Sequence, residues 1–475
     1  MDGSSLADDG AGDRTGGAPG RLICVSNRIP TGAEPSGGLV VALADVLARS
    51  GGVWIGAAPD TAEGPDDSLS EIAGGPFRRL AFRLTEAEHD GYYAGYSNAV
   101  LWPVVHDRAD LMAYRREDRE TYRAVNRRIA RMVAAVLRPG DRLWIHDYHL
   151  LPLAAELRRL GVDVPIGFFL HTPFPTALAL QAMPHGDEIC GWLMAHDLVG
   201  LQAERDCVHA RSALTRVGGI EETAEGLYAH EGRRLRVAAF PIGIDTADFA
   251  RTAAEAFDRL PPGIVKPPRQ LMIGVDRLDY SKGLPNRFRA FRHFLDRHED
   301  WHRRVSLLQI APPTREGLKA YDQIREELEG LAGKVNGAFA DITWTPIRYI
   351  HRPVPRDVLA GLYRASHIAL VTPLMDGMNL VAKEFVAAQD PGDPGVLILS
   401  RFAGAAEQMP EALVVNPHDE GEIAGQILTA LTMPLAERRR RYAALMQDLA
   451  ARDVHWWSGG FLSALDAAAG ARSAG

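Results

Sequence analysis

Two hydrophobic rhythms alternate along this chain. Short, nearly unbroken apolar runs recur in the first half: "RLICVSN", "DRLWIHD", "PIGFFLH", "DLVGLQ" and "RVAAFPIGI". The second half repeats the pattern with "QLMIGVD", "RVSLLQIAP", "HIALVTP", "GVLILS" and "ALVVNP". Longer stretches with helical spacing separate them, such as "RAVNRRIARMVAAVL" and "LLPLAAELRRLG". Continuous apolar strands alternating with helices predict an α/β fold with parallel sheets covered on both faces. Residues 246–268 contain two Pro pairs and read as the connection between two doubly wound, Rossmann-like domains, 21–245 and 269–455. Residues 1–20, rich in Gly, Asp and Ser, read as a disordered tail. Residues 456–475 read as a C-terminal docking helix and tail.

Several predicted strands end on polar residues: Asn27 and Arg28, Asp147, His171, Asp276 and Arg277, with Arg315 and Asp376 shortly beyond theirs. Ligands of open α/β sheets bind beyond the carboxyl ends of the strands. Residues contributed by both halves are therefore expected to line one central cleft.

Composition narrows the classes. The 475 residues are 46% hydrophobic and 24% charged, with a formal net charge of −8, which argues against nucleic acid as a partner. The three cysteines have neither disulfide-framework nor metal-type spacing, as suits a reducing cytoplasm. No apolar run approaches the ~20 residues that span a bilayer, and the N-terminus has no secretory h-region. Cytoplasmic localisation, small-molecule substrates and no membrane partner are expected; a homo-oligomer is compatible with all of this. "HEDWH", from His298, matches a zinc-protease pattern, but its neighbours place it at a helix end, where both His cannot share one helical face. His146, His149 and His171 are expected to act as hydrogen-bonding groups rather than metal ligands.

Three stretches carry candidate binding chemistry. Gly37 and Gly38 precede a helical pattern, where bare backbone and a helix N-terminus admit a phosphate or sugar. In "RLDYSKG", Arg277 supplies a fork of donors and Lys282 a point charge, a pair suited to a diphosphate. In "PLMDGMNLVAKEFVAAQ", Asp376 and Gly377 read as turn and cap of a following helix. On that reading Glu384 lies about 12 Å along the axis from Asp376, at ~1.5 Å per residue, as two carboxylates at opposite ends of an elongated ligand would.

Read together with "SNRIP", "SGGLVVAL", "YYAGYSNAVLWPVVH", "WIHDYHLLP", "GFFLHTPFP", "FPIGID" and "QIAPPTR", these stretches resemble the trehalose-6-phosphate synthase family over residues 21 to 458. These are retaining glycosyltransferases of the two-domain GT-B type, family GT20. The resemblance implies transfer of glucose from a nucleoside-diphosphate glucose, UDP-glucose or GDP-glucose, to glucose 6-phosphate. It implies no cofactor and no metal. Arg28, Tyr93 and Arg315 would hold the acceptor phosphate, Trp102 would line the acceptor pocket, and Asp147 would bind acceptor hydroxyls. Arg277 and Lys282 would grip the donor diphosphate, with Gly37 and Gly38 close by. His171 and Asp376 would bind the donor glucose. Leu380, Val381, Ala382, Lys383 and Glu384 would meet the donor through main chain, with the Glu384 carboxylate on the ribose, and Val354 would lie near the base. Asp147, His171, Arg277, Lys282 and Asp376 are thus the candidate catalytic residues. The resemblance also implies that the acceptor attacks on the face from which the diphosphate leaves, and that the diphosphate takes its proton. The family's usual Arg before "DGMNL" is Met375 here, and "WIGAAPD" keeps only Trp54 of the usual W-x-G-W pair. Two rival functions share the fold: a relative joining a cyclitol donor to an amino-cyclitol phosphate, and a non-catalytic sugar-phosphate sensor.

Overall fold

The computed structural model describes residues 20–30, 38–261, 264, 270–314 and 319–473. The first sheet comprises β1 (Leu22–Arg28), β2 (Val53–Ala57), β3 (Ser70–Ile72), β4 (Arg78–Phe82), β5 (Arg142–His146), β6 (Ile166–Phe169), β7 (Leu198–Leu201), β8 (Glu221–Ala224), β9 (Leu227–His230) and β10 (Arg233–Ala239). Its order is β3-β4-β2-β1-β5-β6-β7-β10-β9-β8. The strands from β4 to β10 run parallel, and only β3, β8 and β9 pair antiparallel. The second sheet, wholly parallel, is β13-β12-β11-β14-β15-β16. Its strands are β11 (Gln270–Val275), β12 (Val305–Ile310), β13 (Ile347–Ile350), β14 (Ile368–Val371), β15 (Val396–Ser400) and β16 (Leu413–Val415).

Each apolar run read from the sequence contains a strand. The strands not read from the sequence, β2, β3, β4, β8, β9 and β13, lie towards the flanks of the sheets. In β3, β8, β9 and β13 a face or edge meets water and the continuous apolar signature is lost, whereas β2, "VWIGA", is fully buried and carries that signature. The "HEDWH" stretch falls where expected: the helix Leu284–Arg297 ends before it, a short 3₁₀ turn spans Glu299–Trp301, and β12 follows.

Residues 246–268 are more than a connection. They open with a helix, Thr246–Phe257, capped by the Asp245 carboxylate, which accepts from the Asp248 N–H at 2.9 Å. Its Phe249 ring lies 6.3 Å from that of Tyr363 in the second domain. The helix Val454–Ser473 returns to the first sheet. Phe461 stacks on Trp144 at 4.5 Å and fills the space over Gly167 and Gly200, where an added Cβ would come within 2.8 Å of its ring. One apolar cluster consequently runs from β1 and β5 through Trp457 and Phe461 to β11 and β14.

Polar contacts also join the domains. The helix Glu204–Leu214 begins after Ala203, which provides no side-chain cap. Glu407 of the second domain caps it instead, accepting from the N–H of Glu204 at 2.8 Å and of Arg205 at 3.3 Å. The Arg205 guanidinium reaches the other way and donates to the carbonyls of Arg401 and Phe402 at 2.9 and 3.0 Å. The carboxylate satisfies N–H groups that a helix start leaves without partners and lies at the positive end of its dipole.

Candidate active site

The cleft lies at the carboxyl ends of both sheets. Arg28 is the last residue of β1 and is exposed. Its guanidinium lies 4.9 Å from the centroid of the Tyr93 ring, and Tyr93 stacks in turn on His149 at 5.7 Å. Tyr93 is carried by a π-helical segment, His89–Leu101, a wide coil rare in proteins and frequent at functional sites. β5 delivers Asp147 directly after its last residue, with φ 74° and ψ 162°, a conformation that is almost the preserve of glycine. The Tyr148 N–H donates to its carboxylate at 3.2 Å. Trp102, buried at the end of the π-helical segment, faces the same space, and the Arg277 guanidinium of the second domain lies 5.7 Å from its ring. Together Arg28, Tyr93, Trp102, Asp147, Tyr148, His149 and Arg277 line a cavity of about 320 Å³.

The second-domain side is organised around Lys282. β11 ends at Val275; the chain then makes a 3₁₀ turn, Tyr280–Lys282, and passes through Gly283 at φ 64° into the helix Leu284–Arg297. Gly283 is required there twice over, because a Cβ would lie 2.5 Å from the Thr372 carbonyl oxygen. Lys282 is buried and donates from Nζ to Asp376 Oδ2 at 2.6 Å, and Asn379 Nδ2 donates to the same oxygen at 3.0 Å. Beneath it Asp276 pairs with the fully buried Arg287 at 2.9 Å, and Arg287 also donates to Thr372 and Gln309.

One sequence expectation changes here. Asp376 is not on the helix. Asn379, in the left-handed region at φ 74°, precedes its first residue, so the helix is Leu380–Ala388 and the spacing of about 12 Å to Glu384 does not apply. Asp376 instead bridges to Ala403 in the loop after β15. The Lys383 side chain is engaged elsewhere, which leaves its expected main-chain contact with the donor untouched. It is buried and donates to the Ile242 carbonyl and to Gln408 at 2.6 and 2.7 Å, and burial lowers its pKa to about 7. Ala382 is buried, whereas Leu380, Val381 and Glu384 are half-buried. Burial pushes the Glu384 carboxyl up to about 7, with Arg356 pulling weakly the other way. Val354 is half-buried in the turn before the helix Arg356–Ala365.

His171 lies where the domains touch: a Cβ on Gly377 would come within 2.2 Å of its carbonyl oxygen. Its Nε2 is 3.2 Å from His146 Nδ1, and burial lowers its pKa to about 3, so the ring is neutral at pH 7. Among the described residues no group of three or more His, Cys, Asp or Glu side chains is arranged to hold a metal ion. No helix among them is long and apolar enough to cross a membrane. Gly37 and Arg315 fall outside the described residues, as does the tail 1–19, and Gly38 is the first residue of the helix Gly38–Ser50. The interdomain contacts of Arg205 and Glu407 escaped the sequence reading because nothing distinguishes "QAERD" from an ordinary helix start.

Two facing Rossmann-like domains with cations on both banks of the cleft define a glycosyltransferase of GT-B architecture, and comparison with known proteins agrees. The model of glycosyltransferase family 20 matches residues 26–467. The chain is 44% identical to the trehalose-6-phosphate synthase of Sinorhizobium fredii, over 94% of its own length and 98% of that relative's. Among solved structures it resembles an alpha,alpha-trehalose-phosphate synthase (UDP-forming) of Burkholderia vietnamiensis, with TM-score 0.93, 44% identity and coverage of 96% and 99% of the two chains. The corresponding Burkholderia xenovorans enzyme, in complex with glucose-6-phosphate, gives 0.90 and 44%, covering 94% of this chain and all of that one. The chain belongs to glycosyltransferase family 20.

Proposed function

We propose that the protein is a retaining hexosyltransferase that makes α,α-trehalose 6-phosphate from glucose 6-phosphate and a nucleoside-diphosphate glucose. The observation that carries this reading is the cavity of about 320 Å³ in which Arg28 and Asp147 of one domain face Arg277 of the other. The relatives named UDP-forming favour UDP-glucose over GDP-glucose as the donor.

On this reading Arg28 holds the acceptor phosphate on one bank, with Tyr93 and Trp102 walling the sugar and Asp147 accepting from its hydroxyls. On the other bank Arg277 and Lys282 bind the diphosphate, and the Glu384 carboxylate accepts from the ribose. The glucosyl carbon–oxygen bond to the diphosphate breaks and the acceptor's anomeric oxygen forms the new bond on the same face. Its proton passes to the departing diphosphate. Fixed cations stabilise the charge that develops on the leaving group more than the charge in the ground state, so their binding energy lowers the barrier. This chemistry requires neither a carboxylate nucleophile nor a metal ion. His171, held neutral, donates to or accepts from a glucose hydroxyl without adding a charge. On this reading the enzyme works in the cytoplasm, and the cleft it uses is built within one chain.

The test is incubation of the purified chain with glucose 6-phosphate and UDP-glucose or GDP-glucose. A phosphorylated disaccharide with α,α linkage by mass spectrometry and NMR is expected, faster with UDP-glucose. Release of free glucose alone, or no product with either donor, would overturn the proposal.

A further inference from the structure

Beside the Arg28–Tyr93 pair lies a second chamber, of about 170 Å³, whose lining includes Asn27, Ile29, Ala57, Asp60, Thr61 and His89. Asn27, Arg28 and Tyr93 belong to both cavities, so the guanidinium and the phenol ring stand between them. Arg28 has no carboxylate partner among the described residues. Asp60, the acid of the chamber, is paired with Arg83 at 2.8 Å. Asn27 accepts from the Tyr92 hydroxyl at 3.0 Å through Oδ1, which leaves its amide N–H groups as donors. The chamber therefore combines a cation, amide and hydroxyl donors and a small apolar floor.

Ala57 is one of the small residues of that floor. Ala57 ends β2 opposite Arg28 of β1, with its methyl group on the same face as Ile55 and Val53. Ala57 also lines the chamber, so a longer side chain at this position would compete for its volume. We infer that Ala57 sets the length of acceptor this site takes. The chamber admits an acceptor whose phosphate lies further from the sugar ring than in a hexose 6-phosphate, such as a heptose 7-phosphate, with Arg28 reaching the phosphate from its other side. This deepens the proposed function and rests on it.

The experiment compares kcat/KM for glucose 6-phosphate and a heptose 7-phosphate, with UDP-glucose as donor, in the wild type and in Ala57→Val, Ala57→Leu and Ala57→Trp. The wild type is expected to use both acceptors within about tenfold. The heptose-to-hexose ratio is expected to fall stepwise as position 57 grows, by tenfold or more at Leu. Should the Trp variant fail to fold, the Val and Leu variants carry the series. Turnover of glucose 6-phosphate with a hundredfold weaker response to the heptose phosphate, or a ratio that does not change along the series, would overturn the inference while leaving the proposed function standing. No turnover with either acceptor would overturn the proposed function itself.

Discussion

On the first-domain bank of the cleft, Arg28 is exposed and rests on the face of Tyr93; on the second-domain bank, Lys282 is buried and already paired with Asp376. The two cations are prepared for different tasks. An exposed guanidinium on an aromatic plate meets an incoming phosphate without breaking an ion pair to any of the described residues. A buried lysine held by Asp376 and a loop is fixed in position, which suits a charge that must meet a leaving group as it forms. The first bank is built for capture, the second for stabilising a transition state.

The sharpest way to break this contrast is Arg277→Ala, which should lower turnover roughly 100- to 1,000-fold, since single preorganised contacts to developing charge have that worth. Steady-state rates at saturating substrates check it, and near-normal turnover in a folded variant would remove Arg277 from the transition state. Next comes Asp376→Asn. It leaves the buried Lys282 cation without its counter-charge and should cost about 3 kcal/mol of stability, read as a lower Tm. The variant should also weaken donor use far more than acceptor binding. Arg28→Ala should raise the acceptor KM roughly 10- to 100-fold with the donor KM unaltered, and Arg28→Lys should restore only part, because a point charge replaces a fork.

The smallest effect belongs to pH. The Glu384 carboxyl, raised by burial from 4.5 to about 7, keeps its proton in the folded protein below that value. Its stabilising contribution to folding is complete below pH 4.5 and is lost as pH rises through 7. Donor binding should move the other way. As the carboxylate forms, it accepts more strongly from ribose hydroxyls, and the donor KM should fall about fivefold between pH 6 and 8. Glu384→Gln should flatten that profile; an unchanged profile would exclude Glu384 from the donor site.

The parallel core of both sheets was legible because strands buried on two faces must be continuously apolar, as "PIGFFLH" and "HIALVTP" are. β3, β8 and β9 were not, because a polar edge strand such as "EETA" carries no such constraint. Arg28, Asp147 and Arg277 could be picked out as polar residues closing apolar runs. Their conformations could not: nothing in "IHDYH" announces that Asp147 adopts φ 74°, and nothing in "DGMNL" says that Asn379, rather than Asp376, precedes the helix. Those are set by contacts from distant segments, which spacing along the chain does not encode. The π-helical segment is hidden for a similar reason, since "HDGYYAGYSNAVL" has no periodicity of its own to mark a wide coil.

The contact at Glu407 has a consequence for how the two halves can be recombined. A chimera joining this chain's first half to a relative's second half would keep Arg205 and the helix start at residue 204 but take position 407 from the relative. Where that residue is not an acceptor of the same reach, the helix at residue 204 begins uncapped. Grafts should carry positions 205 and 407 as a matched set.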